Sequence, residues 1–415
     1  MKNFGSIPLF FFGFLIISES FILPFTARFG DINTLSILYF LTGLLIAILP
    51  LIFKNPIHKI STKKVSTLLS MVLLFILSFS SFHFIIKIID SPINPNLGDM
   101  LPVIKIMNER FLRGELPNNI MYELWGGAQA VYLPMMWLPY LPAIIFDFDM
   151  RYVSLFLFVA GVVSLFFIKN KERNMIGSFV FLIAIATILA ATYRYYSYTF
   201  VYCQEGVVMF YYILLSLSML YFRNPFFSAA AITFCLLSRY SFLPWMLFYF
   251  VWMFFFKNEK KWTIYTGSLV FLFSLSIMFF TKAIYNYEVF LNTEKTYMVA
   301  FSDSNRALMM QSFINEGIGL AKFFYHGNFK TYMLIFKLAY LFSPFLFFAV
   351  FYKKITKQNE TLFLLCCLKF SLLIFYNFFL QPHHYLFYVS NIISFSILVA
   401  YSRIKTEEEK QNLIY

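Results

Sequence analysis

Some dozen apolar runs recur along the chain, each close to the roughly 20 residues a helix needs to cross the hydrocarbon core of a bilayer. "SIPLFFFGFLIISESFILPF" and "STLLSMVLLFILSFSSFHFII" show the type. In lipid a backbone has no water to bond, and a helix satisfies all its N–H and C=O groups within one segment. The runs therefore imply an all-α polytopic membrane protein. Composition agrees: of 415 residues, 60% are hydrophobic and only 13% are charged, against about 25% charged in soluble domains. A soluble globule is excluded. The first run lacks the strongly basic start and small-residue cleavage site of a secretory signal, so it is expected to be a retained helix.

Helices are expected at about 7–25, 33–53, 66–88, 151–168, 175–193, 206–222, 225–240, 242–256, 263–281, 332–352, 361–380 and 384–402. That gives about 12 spans in one transmembrane domain covering 1–415. Basic loops stay cytoplasmic. The basic segments are "FKNPIHKISTKK" (53–64), "KNKER" (169–173), "KNEKK" (257–261), "KKITK" (353–357) and "RIKTEEEK" (403–410). With Lys2 also inside, alternation of the helices puts all of these on one side. Both termini are then cytoplasmic in a cell inner-membrane protein. The net charge of +13 reports this loop bias, and no nucleic-acid partner is expected.

"AVYLPMMWLPYLPAIIF" (130–146) has the length of a span but carries Pro134, Pro139 and Pro142. If it crossed, every later basic loop would flip outward. It is expected instead to lie as a bent helix in the outer interface, at the depth that suits Tyr132, Trp137 and Tyr140. Two extracytoplasmic loops follow from this threading, at about 89–150 and 282–331.

The first of these loops holds a polar island, "NPNLGDMLPVIKIMNERFLRGELP". Met100, Ile104, Met107 and Phe111 repeat at helical spacing, which predicts a short amphipathic helix floating on the outer leaflet. Asp99 stands just before it. There it serves either as an N-cap or as a general base at the membrane surface, and the two roles are compatible because a capping carboxylate is well oriented. Asp90, ending the preceding helix, is a further candidate, and Lys105 lies on the polar side of the island. On the same face Glu205, in "YCQEGVVM", opens a helix; it suits the helix dipole and is the second candidate catalytic carboxylate beside Asp99. Arg239, in "CLLSRYSFLPW", lies at a turn between helices, where a guanidinium calls for an anion: a lipid phosphate or one of these acids. His383 and His384 are adjacent in "QPHHY" and have the chemistry to bond a phosphate or a sugar. Glu19 falls inside the first span, where a carboxylate is either functional or paired with a polar group on another helix.

Cys203, Cys235, Cys366 and Cys367 make no metal spacing and read as small buried hydrophobes. No metal ligands are assigned, and no cofactor is certain; a divalent cation stays open. No phosphate-cradling glycine loop or hydrolase signature occurs. The clustering of polar residues at one interface, rather than at mid-bilayer on broken helices, favours surface chemistry over transport.

The order of these parts resembles the GT-C integral-membrane glycosyltransferases, especially family-87-like mannosyltransferases of bacteria. The resemblance runs over about 85–170: a span, "GD", "VIKIMNERFLRGELP", the proline-rich "VYLPMMWLPYLP", then a span ending in lysines. "CQEGVVMFYYILL" and "SRYSFLP" look like that family's second acidic loop and the basic turn after it. Met100 stands where the family usually has an aromatic, "YLPMM" where it has a Tyr-Pro-Pro-Leu run, and two helices precede its usual first one. The resemblance implies a GT-C-like fold with interfacial helices on the extracytoplasmic side. It also implies a polyprenyl-phosphate sugar donor, a glycan or lipid acceptor, and Asp99 as base. A flippase or transporter for lipid-linked glycans, and an O-antigen polymerase or ligase, are the alternatives; the single arginine of 282–331, Arg306, counts mildly against the last.

Overall fold

The structure, a computed structural model, describes residues 9–25, 31–53, 63–93, 100–124, 130–167, 175–195, 203–222, 224–291, 314–315, 317–380 and 384–402. Among them the chain is all-helical. The helices are α1 (Leu9–Phe25), α2 (Ile32–Ile52), α3 (Lys63–Asp90), α4 (Met100–Leu112), α5 (Pro134–Trp137), α6 (Leu141–Ile145), α7 (Arg151–Phe167) and α8 (Met175–Tyr195). Then come α9 (Glu205–Leu220), α10 (Pro225–Leu236), α11 (Leu243–Val251), α12 (Lys260–Phe280), α13 (Phe329–Phe351), α14 (Glu360–Phe378) and α15 (Tyr388–Tyr401). α11 runs on as a π-helical turn over Trp252–Phe256.

Each helix expected from the apolar runs is present, with ends shifted by a few residues. Seven segments are long and apolar enough to cross a membrane: Ile32–Ile52, Val65–Asp90, Met175–Tyr193, Lys260–Phe280, Phe329–Lys354, Glu360–Phe378 and His384–Tyr401. Leu9–Leu23, Pro134–Ile145, Arg151–Phe167, Glu205–Leu220, Pro225–Leu236 and Tyr240–Phe256 are shorter. At 1.5 Å per residue, the 12 residues of α10 reach about 18 Å, short of a core of roughly 30 Å. A helical membrane protein with several crossings is what these lengths define.

Contacts at helix termini show which ends lie together. Phe12 near the start of α1 packs on Tyr401 at the end of α15, with ring centroids 5.2 Å apart. Gly177, near the start of α8, lies against Ser402, just past α15. Thr361 Oγ1, in the first turn of α14, donates to Met219 O in the last turn of α9 at 3.5 Å. Lys87 Nζ near the end of α3 donates to Tyr193 O near the end of α8 at 3.1 Å. The residues before α13 join the same end as the loop after α3: Lys282 Nζ bonds Gly114 O.

The proline-rich segment is helical and bent, as expected: Pro134–Ile145 runs through α5, a 3-10 turn (Leu138–Tyr140) and α6, with a proline in the first turn of each piece. Its expected surroundings are corrected. Trp137 and Tyr140 are fully buried, so these rings pack inside the protein instead of marking a lipid interface. The apolar side of α4 does not float on lipid either. Met100, Ile104 and Met107 are buried, and Phe111 packs on Trp137 at 5.6 Å. The buried Asn108 donates from Nδ2 to Trp137 O at 3.0 Å, tying α4 to α5. The proline-rich segment is thus the cover that α4 needs.

The four cysteines are free and buried, as their apolar context predicts. Deep in the bundle, Glu19 of α1 and Lys369 of α14 form an ion pair, both side chains 0% exposed. Every remaining valence is filled. Lys369 also donates to Ser390 O and Oγ at 2.9 Å. Glu19 Oε2 accepts from Ser394 Oγ at 2.6 Å and Asn391 Nδ2 at 3.3 Å. Such a network is the price of keeping charge away from water, and it ties α1, α14 and α15 together.

Candidate functional site

Glu205 is the first residue of α9, where its charge faces the positive end of the helix dipole. Gly206 follows it for a steric reason. A Cβ at 206 would stand 2.4 Å from Ser154 O and 2.5 Å from Ser154 Oγ. The start of α9 presses against α7 only because residue 206 has no side chain. The approach leaves Glu205 0% exposed.

Arg239 sits in extended backbone before the 3-10 turn Tyr240–Phe242. This turn is held from three directions. Ser241 Oγ and the Tyr376 hydroxyl share a hydrogen bond of 2.9 Å. Tyr340 donates to Tyr240 O at 2.9 Å, and Tyr240 donates to Val131 O at 3.3 Å. Arg239 Nη2 then bonds Glu205 Oε1. The guanidinium side chain is 14% exposed, so the pair lies at the rim of the buried region. Tyr140 and Tyr376 lie near enough to Arg239 to interact with its charge.

The pair is incompletely bonded. Among the described residues, Glu205 Oε2, Arg239 Nε and Gln204 Oε1 are buried and have no hydrogen-bond partner. An unmade bond on a buried polar group costs about 1–3 kcal/mol, more where charge is involved. Two of these atoms belong to the same ion pair and leave it short of hydrogen bonds. Arg239 Nε offers a donor suited to an anion, and Glu205 Oε2 offers an acceptor suited to a hydroxyl.

The proline-rich segment connects this pair to the polar island. Met135 N donates to Leu237 O at 2.9 Å, Tyr211 donates to Met135 O at 3.2 Å, and α4 packs along α5 and α6. Asp99 itself, and His383, lie outside the described residues. Asp90 is exposed at the end of α3. Below it, Arg151 Nη2 donates to Ile88 O at 2.8 Å and Nη1 to Ser91 O at 2.5 Å, capping α3. Lys105 is exposed and faces Glu109 at 3.8 Å. His384 is half-buried at the start of a 3-10 turn. The structure therefore brings Glu205 and Arg239 together and leaves Asp90 and Lys105 without a hydrogen bond or ion pair to either. Gln204, Tyr140, Ser154 and Tyr376 escaped the sequence reading. Only "QEG" carried a signal, through a glycine directly after a buried acid.

No protein-family model, curated protein or solved structure matches this chain.

Proposed function

We propose that this chain is an integral-membrane glycosyltransferase of GT-C type. It would move a sugar, with mannose the first candidate, from a polyprenyl-phosphate carrier to an acceptor hydroxyl on a glycan or lipid outside the membrane. The observation that carries this reading is the half-bonded Glu205–Arg239 pair: a buried cation with a spare donor beside a carboxylate with a spare acceptor.

The chemistry needs few groups. The acceptor oxygen attacks the anomeric carbon, the bond from that carbon to the phosphate oxygen breaks, and the polyprenyl phosphate leaves with the bonding pair. One displacement inverts the anomeric configuration, unlike the two-carboxylate hydrolases that retain it. The hydroxyl proton passes to Asp99 as general base. Arg239 stabilises charge on the departing phosphate. Glu205 orients Arg239 and accepts a hydroxyl of the bound sugar. Lys105, Asp90, His383 and His384 are assigned to substrate binding on the same face.

A flippase or transporter of lipid-linked glycans is the second reading, because Glu19 and Lys369 place charge deep in the bundle, as transporters do. The saturation of that pair by Ser390, Asn391 and Ser394 speaks for a structural tie instead. Kinetics with polyprenyl-phosphate mannose separate the two. Arg239→Ala should weaken donor use more than acceptor use, with partial rescue by Arg239→Lys, which lacks the bidentate fork. Asp99→Asn should lower turnover by the roughly 10²–10⁴-fold of a general base while the protein stays folded. Donor dependence untouched by Arg239→Ala would leave Arg239 as a structural partner of Glu205 alone.

A further inference from the structure

A groove of about 560 Å³ opens at the same end of the bundle, lined by Arg110, Glu115, Asn119, Ile120 and Tyr122. It is built by α4 and the turn after it. Arg110, whose side chain is only 9% exposed, donates from Nη1 to Asn119 O at 2.7 Å and from Nη2 to Ile120 O at 3.0 Å. It also meets Glu123 at 3.3 Å. One guanidinium therefore folds 113–123 back on α4 and sets the wall of the groove. Gly114, in left-handed backbone at φ 79°, makes the reversal. Lys282 and Asn286 close one flank through Gly114 O and the Asn119 side chain.

With the wall fixed by Arg110, the groups left facing outward are the exposed Tyr122 ring and Ile120 side chain, the Asn119 amide, and the Glu115 carboxylate, whose oxygens also accept from Arg113 Nε at 2.7 Å and Nη2 at 3.4 Å. An exposed tyrosine that shares a groove with planar polar groups fits a partner with C–H faces and hydroxyl edges. A lipid tail does not fit, because three of the five lining residues carry a charge or an amide. Hydrogen bonds tie the turn that builds the groove to the segment beside Arg239. Asn118 Nδ2 donates to Ala130 O at 3.0 Å and Tyr132 O at 3.2 Å, and Tyr240, next to Arg239, donates to Val131 O.

We propose that this groove is a saccharide-binding subsite that holds a water-soluble, hydroxyl-rich chain by stacking on Tyr122 and hydrogen bonding to Glu115 and Asn119. Its service as the acceptor subsite rests on the transferase reading; its binding of saccharide does not. The full chain in detergent micelles is titrated by calorimetry with short oligomers of mannose, glucose, galactose and N-acetylglucosamine. At least one series should bind, and Tyr122→Ala and Asn119→Ala should each weaken it about tenfold, the loss of one good contact. Tyr122 is exposed, so its removal leaves the fold intact. Arg239→Ala should leave this affinity unchanged. Binding that survives both groove substitutions, binding lost equally in Arg239→Ala, or no binding by any of the four series overturns the proposal. Oligomer binding without sugar transfer would support the groove and count against the transferase reading; donor turnover without oligomer binding would do the reverse.

Discussion

Among the ion pairs that join distant parts of the described chain, Glu19–Lys369 and Glu205–Arg239 are finished differently. Glu19–Lys369 lies wholly inside the bundle and has every oxygen and proton engaged, by Ser390, Asn391 and Ser394 as well as by each other. Glu205–Arg239 lies at the rim and leaves Glu205 Oε2 and Arg239 Nε open. A saturated pair has nothing left to offer a guest, so its work is to fix which helices meet. An open pair costs stability, and the cost is recovered when a ligand supplies the missing bonds. The lesson is that an ionisable residue in an apolar chain is read by its unmet bonds, and its depth alone decides little.

The sharpest way to break the comparison is to remove one partner from each pair. Lys369→Met leaves Glu19 charged and enclosed, and should cost about 3–5 kcal/mol of stability. Glu19→Gln with Lys369→Met should recover most of it, as read by thermal unfolding in detergent. Arg239→Met should cost less, because water reaches the rim. Equal losses at the two sites would erase the distinction.

Neutralising both members tests function in place of fold. Glu205→Gln with Arg239→Gln keeps a hydrogen bond between the side chains but removes the anion partner. Donor turnover should fall by roughly 10²–10³-fold, the usual loss of a charge-stabilising donor, with little change in melting temperature.

Gly206→Ala probes how α9 delivers Glu205. The new methyl would meet Ser154 backbone, which has no rotamer to escape into, so about 1–3 kcal/mol of destabilisation is expected, with loss of transfer. Gly267→Ala is the control. Its methyl would touch only Phe250 at 3.9 Å, and alanine favours helix over glycine, so stability should hold or rise slightly.

The smallest effect belongs to an acid with no partner helix at all. Asp31 caps α2, accepting from Asn33 N at 3.0 Å and Thr34 Oγ1 at 2.7 Å. The Thr34 hydroxyl, then the Asn33 amide, hold its carboxyl below the ordinary 3.8. A lowered value means the cap contributes fully above 3.8 and is lost as pH falls through the folded-state value. Asp31→Asn caps about as well, so it should remove this acid-side dependence of the melting temperature and change nothing near neutrality.

The helices were legible because each long apolar run has few other fates in lipid. Glu205 and Arg239 were legible singly, as charges at expected turns, but not as a pair. A contact across 34 residues depends on how α7, α9 and the turn after α10 pack, which no local pattern encodes. Glu19 was visible as an anomaly, whereas its partner Lys369, 350 residues away, was hidden inside "LLCCLKFSLL", a run that reads as plain membrane helix. The proline-rich segment misled for a similar reason. Its Trp137 and Tyr140 have the composition of an interface belt, and only the packing of α4 against it shows that protein covers those rings.

The most direct test of the open pair compares release of polyprenyl phosphate from a panel of polyprenyl-phosphate sugars by three purified proteins. These are the unaltered chain, the Glu205→Gln/Arg239→Gln variant and the Glu19→Gln/Lys369→Met variant. Release by the unaltered chain, kept in the 19/369 variant and lost in the 205/239 variant, is the expected result. Equal release by both variants, or none by the unaltered chain with any sugar, would contradict it.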